Sequence, residues 1–226
     1  MTKSASPDSV RPSDRTTRWW WVRHAPVVVN NGCCYGQTDH PCNTDDPPAY
    51  RRLAQILPRE AVWVTSNLRR THETAAAIVA AGLPGPATFP GPDVTVETDL
   101  AEQHFGEWQG RTYASLAAER AEEYHRFWLA PATERPAGGE SFVDLMTRVT
   151  STIHRLNERF AGRDIIAVTH GGTIRAALAL ALDLPPEAAL AFAIDNISVT
   201  RLDHFPEGAG GLGHGWRVNS VNQPPR

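Results

Sequence analysis

The sequence predicts an α/β protein, a three-layer α/β/α sandwich around a mostly parallel sheet. Short apolar runs alternate along the chain with longer segments that repeat apolar residues at helical spacing, the pattern of strands that cross over to helices. Two of the runs, 19–22 and 165–168, are apolar throughout, as strands buried on both faces are. Each is followed within two residues by a histidine, and in open α/β sheets ligands bind beyond the carboxyl ends of the strands.

The first half of the chain contains two predicted strands and two predicted helices. The segment between the first strand and the first helix is rich in turn formers, and loops of that length in compact domains are usually functional. Ser66 is placed to cap the second helix and Gly82 to end it. In chain order the elements are a strand at 19–23, a loop at 26–48, a helix at 50–57, a strand at 61–65 and a helix up to about Ala81.

The second half continues the alternation. Ser141 and Asp144 have the spacing of a capping box, and apolar residues recur at helical spacing after them until Gly162. Four residues of the preceding helix are candidate core residues: Leu116, Tyr124, Phe127 and Trp128. The elements are a short strand at 94–96, helices at 111–129 and from Ser141, a strand at 164–169, a helix at 172–182 and strands at 197–202 and 215–219.

Length, charge and cysteine content limit the classes of function. The 226 residues suffice for one α/β domain, which we place at 18–226 after a disordered tail at 1–17. A net charge of −3 gives no basic field for nucleic acid or an anionic membrane, and no apolar run is long enough to span a bilayer. Three closely spaced cysteines form no disulfide framework, so we expect a cytoplasmic protein.

The residues at the end of the first strand suit phosphoryl transfer. A neutral imidazole at His24 can attack phosphorus and form a phosphohistidine. Arg23 beside it disfavours the imidazolium and can bind phosphate oxygens through parallel N–H groups. A lone histidine at a strand end is more often structural, but the adjacent arginine and the long loop that follows favour a site.

A second strand end and a helix start supply further groups for an anion. Two glycines, Gly171 and Gly172, follow His170, so a backbone can approach a ligand closely and the first amides of the next helix are free. Arg70 falls in the first turn of the helix after the second strand, and its side chain points back toward the strand end. Each feature alone is weak, but together they predict a phosphate site.

A polar stretch with two aromatic residues and two glycines, 102–110, resembles a site loop. A carboxyl group held near Phe105 and Trp108 can serve as a general acid. Composition does not choose between Glu102 and Glu107 for this role.

With these residues in view, the chain resembles the histidine phosphatase superfamily, in its phosphoglycerate-mutase-like branch. The matching segments follow the family's order from Arg18 to about Val221, and their details resemble small-metabolite phosphatases of the α-ribazole-5′-phosphate type. Any one segment is weak, whereas the ordered set is specific. The segments are Val22-Arg23-His24, Ser66 to Ala75, Leu100 to Gly110, Gly138 to Ser141 with Arg148, and Val168 to Gly172.

The resemblance implies a role for each position. His24 would be the phosphorylated nucleophile, and Glu102 would protonate the leaving oxygen and then activate water. No metal or other cofactor is implied, because arginines and histidines neutralise the phosphoryl charge. The implied partner is a small phosphorylated molecule, with no nucleic acid and no membrane; a homodimer stays open. The phosphoryl group would be held by Arg23, Arg70 and His170, with accessory contacts from Asn30, Gly36 and Gly171.

Two other functions stay open beside a phosphatase. A mutase-type phosphotransferase usually carries a longer insertion over its site, whereas the segment between Gly110 and Gly138 is short. A non-catalytic phosphate-binding module is disfavoured because His24 and Glu102 are both present.

The loop after the nucleophile departs from the family pattern. Ala25, Pro26 and Val27 stand where Gly, Glu and Thr are usual, which leaves the substrate open. The cysteines of this loop lack the paired spacing of a zinc site, so we interpret them as loop residues near the mouth of the pocket. They are Cys33, Cys34 and Cys42, with His40 between them.

Overall fold

The computed structural model describes residues 15–28, 32–206 and 215–225. Within these ranges the chain forms one six-stranded sheet with helices on both faces. The strands are β1 (Thr17–Arg23), β2 (Val62–Thr65), β3 (Val94–Val96), β4 (Asp164–Thr169), β5 (Val199–His204) and β6 (Trp216–Gln223). The helices are α1 (Pro47–Ile56), α2 (Arg69–Ala80), α3 (Tyr113–Glu119), α4 (Ala121–Leu129), α5 (Phe142–Arg159), α6 (Gly171–Leu182) and α7 (Pro186–Ala189).

The sheet has the strand order β3-β2-β4-β1-β5-β6. Strands β3, β2, β4 and β1 are parallel, β5 pairs antiparallel with β1, and β6 pairs antiparallel with β5. The predicted three-layer fold with a mostly parallel sheet is therefore confirmed. The predicted tail at 1–17 lies largely outside the described residues, although Thr17 already belongs to β1.

The central strands are buried on both faces, as their apolar runs predict. On one face Trp19 and Trp21 stack with ring centroids 4.6 Å apart and pack against apolar residues of α5 and α6. On the other face Val22 packs with apolar residues of α1 and α2. Because both faces are covered, the polar groups that follow the strands meet at the carboxyl edge of the sheet.

The predicted cap of α2 is wrong. The helix begins at Arg69 with Leu68 as its N-cap, and no side chain in the described ranges caps it. The hydroxyl of Ser66 lies 2.8 Å from the buried ring of His170 instead. The capping box at Ser141 is confirmed.

The predicted helix over 111–129 is two helices, α3 and α4. They are separated at Arg120, whose backbone leaves the helical region with φ −131° and ψ 43°. Leu116 and Phe127 are buried, whereas Trp128 is 52% exposed and its assignment to the core is wrong. The sequence pattern also missed α7.

Candidate active site

The two histidines meet at the ends of neighbouring parallel strands. β1 and β4 pair directly, with Arg23 opposite Thr169, so the residues that follow each strand are side by side. The ring centroids of His24 and His170 lie 5.1 Å apart. The expected convergence of the two imidazoles is therefore present.

His24 is held as a neutral imidazole with one free nitrogen. Its Nδ1 lies 2.7 Å from the carbonyl oxygen of Ala25, which can only accept, so the proton sits on Nδ1. The opposite nitrogen, Nε2, is buried and contacts no hydrogen-bond partner among the described residues. Burial, together with the charges of Arg70 and Arg23, holds the pKa of His24 well below its usual range. The ring thus presents an unprotonated lone pair.

Two arginines approach this histidine, each with part of its guanidinium already bound. Arg70, in the first turn of α2, is fully buried and donates from Nη1 to Thr38 O at 2.9 Å and from Nη2 to Gly36 O at 2.6 Å. Arg23 donates from Nη1 to the carbonyl oxygen of Ile194. The Nε atoms of both arginines are buried without a partner in the described part of the chain.

His170 completes a set of unsatisfied nitrogens. Its Nδ1 is buried and has no described partner, while its Nε2 contacts Ser66. The charges of Arg70 and Arg23 lower the pKa of both imidazoles, which indicates that the four side chains lie near one another. We call Arg23, Arg70, His24 and His170 the cradle. A buried polar nitrogen without a partner costs roughly 1–3 kcal/mol, so the unpartnered Nε atoms of Arg23 and Arg70 beside the imidazoles indicate an anionic ligand.

Acid should destabilise the protein through the two cradle histidines. Burial and the charge of Arg70 hold the pKa of both His24 and His170 well below the ordinary 6.5. Below pH 6.5 the unfolded chain therefore takes up protons that the folded protein does not, and the free energy of unfolding falls by up to about 1.4 kcal/mol per pH unit for each group. We expect the free energy of unfolding, measured with urea between pH 5 and 7, to fall less steeply with acid in His170→Asn than in the wild type. Parallel curves would contradict this.

Three predicted accessory residues have different outcomes. Gly36 uses its carbonyl to hold Arg70, and its φ of +43° and close neighbours exclude a side chain. Gly171 begins α6, and a Cβ there would lie 3.6 Å from Arg23 Nε, so its backbone lies beside the cradle. Asn30 lies outside the described residues.

The structure separates the two candidate acids. Glu102 Oε1 accepts hydrogen bonds from the amides of Gln103 at 3.0 Å and Gly172 at 3.1 Å, which places its carboxylate at the start of α6. Glu107 is exposed and pairs with Arg120. Only Glu102 therefore lies beside the cradle.

A clamp that sequence reasoning missed fixes the Glu102 segment. Arg148, on α5, donates to the carbonyl oxygens of Asp99, Ala101 and Glu102 at 2.6, 2.9 and 3.0 Å. Its guanidinium also pairs with Glu140 at 2.6 Å, and Glu140 accepts from the amide of His104. The only sequence signal was the motif that contains Glu140 and Arg148, which carried no role. These two residues hold the backbone on both sides of the acid.

A cavity of about 200 Å³ opens beside Glu102. Arg175 lines it, half-buried, with Nε bound to Phe192 O at 2.8 Å and no ion pair among the described residues. No motif in the sequence points to this arginine. Aromatic rings form much of the remaining wall: Tyr35, Phe105, Tyr113 and Phe142.

Two of the three loop cysteines lie at the cavity, as predicted, and Cys42 does not. Cys33 and Cys34 line the cavity, and burial raises the pKa of the Cys34 thiol to about 12. Cys42 is buried against Thr74, and burial raises the pKa of its thiol to about 11. Both thiols are therefore protonated at neutral pH. No group of three or more His, Cys, Asp or Glu side chains in the described ranges has the arrangement of a metal site.

Comparison with known proteins identifies the family. The profile of the histidine phosphatase superfamily, branch 1, matches residues 19–216, and the chain belongs to this superfamily. A glucosyl-3-phosphoglycerate phosphatase of Mycobacterium tuberculosis is 34% identical over 221 residues, which cover 92% of this chain and 95% of that protein. The α-ribazole phosphatase of Shigella flexneri superposes with a TM-score of 0.74 at 24% identity, covering 91% of this chain and 96% of that chain, and is a likeness of fold alone.

One group of relatives is much longer than this chain. A bifunctional protein of Mycobacterium tuberculosis is 36% identical over 150 residues, which cover 66% of this chain but 38% of that protein. The chain thus spans well under half the length of that relative. In the part of the chain that the structure describes, every helix is too short or too polar to cross a bilayer.

Proposed function

We propose that the protein is a metal-independent phosphomonoesterase that works through a phosphohistidine on His24. The observation that carries the proposal is the cradle. Arg23 Nε and Arg70 Nε are donors that a tetrahedral anion would satisfy, His170 Nδ1 has no partner in the described ranges, and His24 Nε2 is the lone pair left to attack. Superfamily membership supports the same reaction class.

In the first step, the lone pair of His24 Nε2 forms a bond to phosphorus while the bond from phosphorus to the ester oxygen breaks. The leaving oxygen takes a proton from Glu102, so an alcohol departs. Glu102 Oε1 already accepts two backbone N–H bonds, whereas Oε2 has only a 3.3 Å contact with the Gly172 amide. Oε2 is therefore the oxygen that carries the proton.

In the second step, water attacks the phosphohistidine. The N–P bond breaks and returns its electron pair to His24, the carboxylate of Glu102 takes a proton from the water, and inorganic phosphate leaves. Arginine and histidine donors neutralise the charge on the equatorial oxygens in both steps.

The test is hydrolysis of p-nitrophenyl phosphate in excess EDTA, combined with rapid quenching of the enzyme during turnover. We expect full activity in EDTA and an enzyme-bound phosphate that is labile to acid, stable to alkali and located on the peptide of His24. Activity that disappears in EDTA and returns with a metal, or a phosphate that survives acid, would overturn the proposal.

Glu102→Gln should affect substrates according to their leaving group. An alkoxide needs a proton to depart, whereas p-nitrophenolate does not, so phosphorylation by an alkyl phosphate should slow by about 10²-fold or more and phosphorylation by p-nitrophenyl phosphate by much less. Single-turnover rates of enzyme phosphorylation measure the difference. Glu107→Gln is the matched control and should leave both rates unchanged. Equal losses on the two substrates in Glu102→Gln would assign the acid elsewhere.

The substrate that we propose is a small phosphorylated metabolite, with two candidates from different observations. The motif resemblance favours α-ribazole 5′-phosphate, whose flat base suits the aromatic wall of the cavity. Arg175 favours an ester that carries a carboxylate, because a half-buried guanidinium without an ion pair in the cavity fits a second anionic group. The glucosyl-3-phosphoglycerate phosphatase among the relatives supports the second candidate.

Replacement of Arg175 should distinguish these candidates. If it binds a substrate carboxylate, Arg175→Gln should lower kcat/KM for 3-phosphoglycerate about tenfold and leave glycerol 3-phosphate, which lacks the carboxylate, nearly unchanged. Steady-state kinetics on the two esters measure this selectivity. Equal losses on both esters would mean that Arg175 contacts the phosphate or only supports the backbone of residues 192–194. In that case α-ribazole 5′-phosphate would be the favoured substrate.

A further inference from the structure

Ser66 contacts the cradle through His170. It follows β2 directly and is fully buried, and its Oγ lies 2.8 Å from Nε2 of His170. His170 is itself completely buried, and its other ring nitrogen, Nδ1, has no partner in the described ranges. Ser66 is thus the one described side chain that hydrogen-bonds to this imidazole.

The protons around Ser66 can be assigned from the contacts. The amide of Leu68 donates to Ser66 Oγ at 3.2 Å, and the hydroxyl of Thr71 gives its single proton to Leu68 O at 2.8 Å. The proton of Ser66 can go either to His170 Nε2 at 2.8 Å or to Thr71 Oγ1 at 3.3 Å. Only the first distance is typical of a hydroxyl donor, which favours a Ser66 proton directed toward the histidine.

This assignment fixes which nitrogen of His170 carries the ring proton. The ring is neutral, because burial and neighbouring positive charges hold its pKa well below the usual range. With Nε2 accepting from Ser66, the proton must sit on Nδ1, which faces the cradle. The opposite tautomer would direct a lone pair at the oxygens of a phosphoryl group.

We propose that Ser66 is a positioning residue that sets the tautomer of His170, so that Nδ1 donates a hydrogen bond to the transferring phosphoryl group. The inference rests on the proposed function, since it needs a phosphoryl group in the cradle. The same segment carries a second cradle group, because Ser66 O accepts from His72 Nε2 on the helix that begins with Arg69 and Arg70.

The test compares Ser66→Ala with Thr71→Val and with Ser66→Thr. Ser66→Ala removes the proton donor to His170, Thr71→Val removes the rival acceptor at nearly constant shape, and Ser66→Thr keeps the hydroxyl. The first readout is the ¹⁵N NMR spectrum of the His170 ring, assigned by its loss in His170→Asn. The second is calorimetric affinity for inorganic phosphate, and the third is kcat/KM for p-nitrophenyl phosphate across pH.

We expect the wild type and Thr71→Val to carry the His170 proton on Nδ1. Ser66→Ala should populate the Nε2–H tautomer, weaken phosphate binding about tenfold and lower kcat/KM by about 10- to 100-fold, and Ser66→Thr should restore most of these losses. A wild-type ring protonated on Nε2, or a Ser66→Ala protein with unchanged tautomer and phosphate affinity, would overturn the inference.

The design separates this inference from the proposed function. If Ser66→Ala fails to fold, the tautomer of His170 in the wild type and in Thr71→Val still tests the inference. If the wild type binds phosphate with His170 protonated on Nδ1 but hydrolyses no ester, the inference about Ser66 stands and the proposed esterase activity is wrong.

Discussion

His24→Ala should remove essentially all hydrolysis, a loss of about 10⁴-fold or more, because no other nucleophile stands in the cradle. The variant should still fold, since Nε2 of the wild-type ring is buried without a partner among the described residues and contributes little to stability. It should also still bind inorganic phosphate, because Arg23, Arg70 and His170 keep their donors. Turnover of p-nitrophenyl phosphate, phosphate calorimetry and thermal unfolding measure the three properties.

The matched control for this variant is His204→Ala. His204 is half-buried on β5 and packs on Trp216, so its removal tests the loss of a partly buried imidazole outside the cradle. We expect wild-type activity there. Substantial residual turnover in His24→Ala, with phosphate trapped on another residue, would assign the nucleophile elsewhere.

Gly172→Ala should cost about 10²-fold in kcat on an alkyl phosphate while the fold is kept. A Cβ at this position would lie 2.3 Å from Glu102 Oε1, well inside van der Waals contact. The carboxylate is the far end of a flexible side chain, so it would move aside and lose its hydrogen bond to the Gly172 amide. The helix itself should not suffer, because alanine is the better helix former by roughly 1 kcal/mol.

Gly171→Ala provides the internal comparison. A Cβ there meets its nearest neighbours at 3.6–3.8 Å, an ordinary contact, and the backbone amide is retained. The two variants should therefore differ in steady-state rate, but they should unfold at similar temperatures. Equal activity in both would mean that the position of Glu102 does not control proton transfer.

The strands and the two histidines were predictable because they depend on local patterns. A strand covered on both faces is apolar throughout, so 19–22 and 165–168 stand out in the sequence. The parallel arrangement then brings the residues after each strand to one edge. His24 and His170 needed no knowledge of distant contacts to be singled out.

The clamp and the cavity were not predictable in this way. Arg148 acts on the Glu102 segment across 46 residues, and nothing in its immediate sequence distinguishes it from a solvated helix arginine. For Ser66 the local pattern predicted a helix cap, whereas its hydroxyl contacts His170, which is 104 residues away in the sequence. The break at Arg120 has no glycine or proline at its position to mark it.

The pairing of β1 with β4 holds the two imidazoles more firmly than the carboxylate of Glu102 is held. The two imidazoles follow adjacent strands in the middle of the sheet, and their separation is set by the backbone ladder that joins those strands. That ladder can open only when the whole core opens. The carboxylate of Glu102, by contrast, stands on a segment held by the polar contacts of Arg148. On warming, the proton donor should therefore leave its place while the phosphate-binding half still keeps its shape.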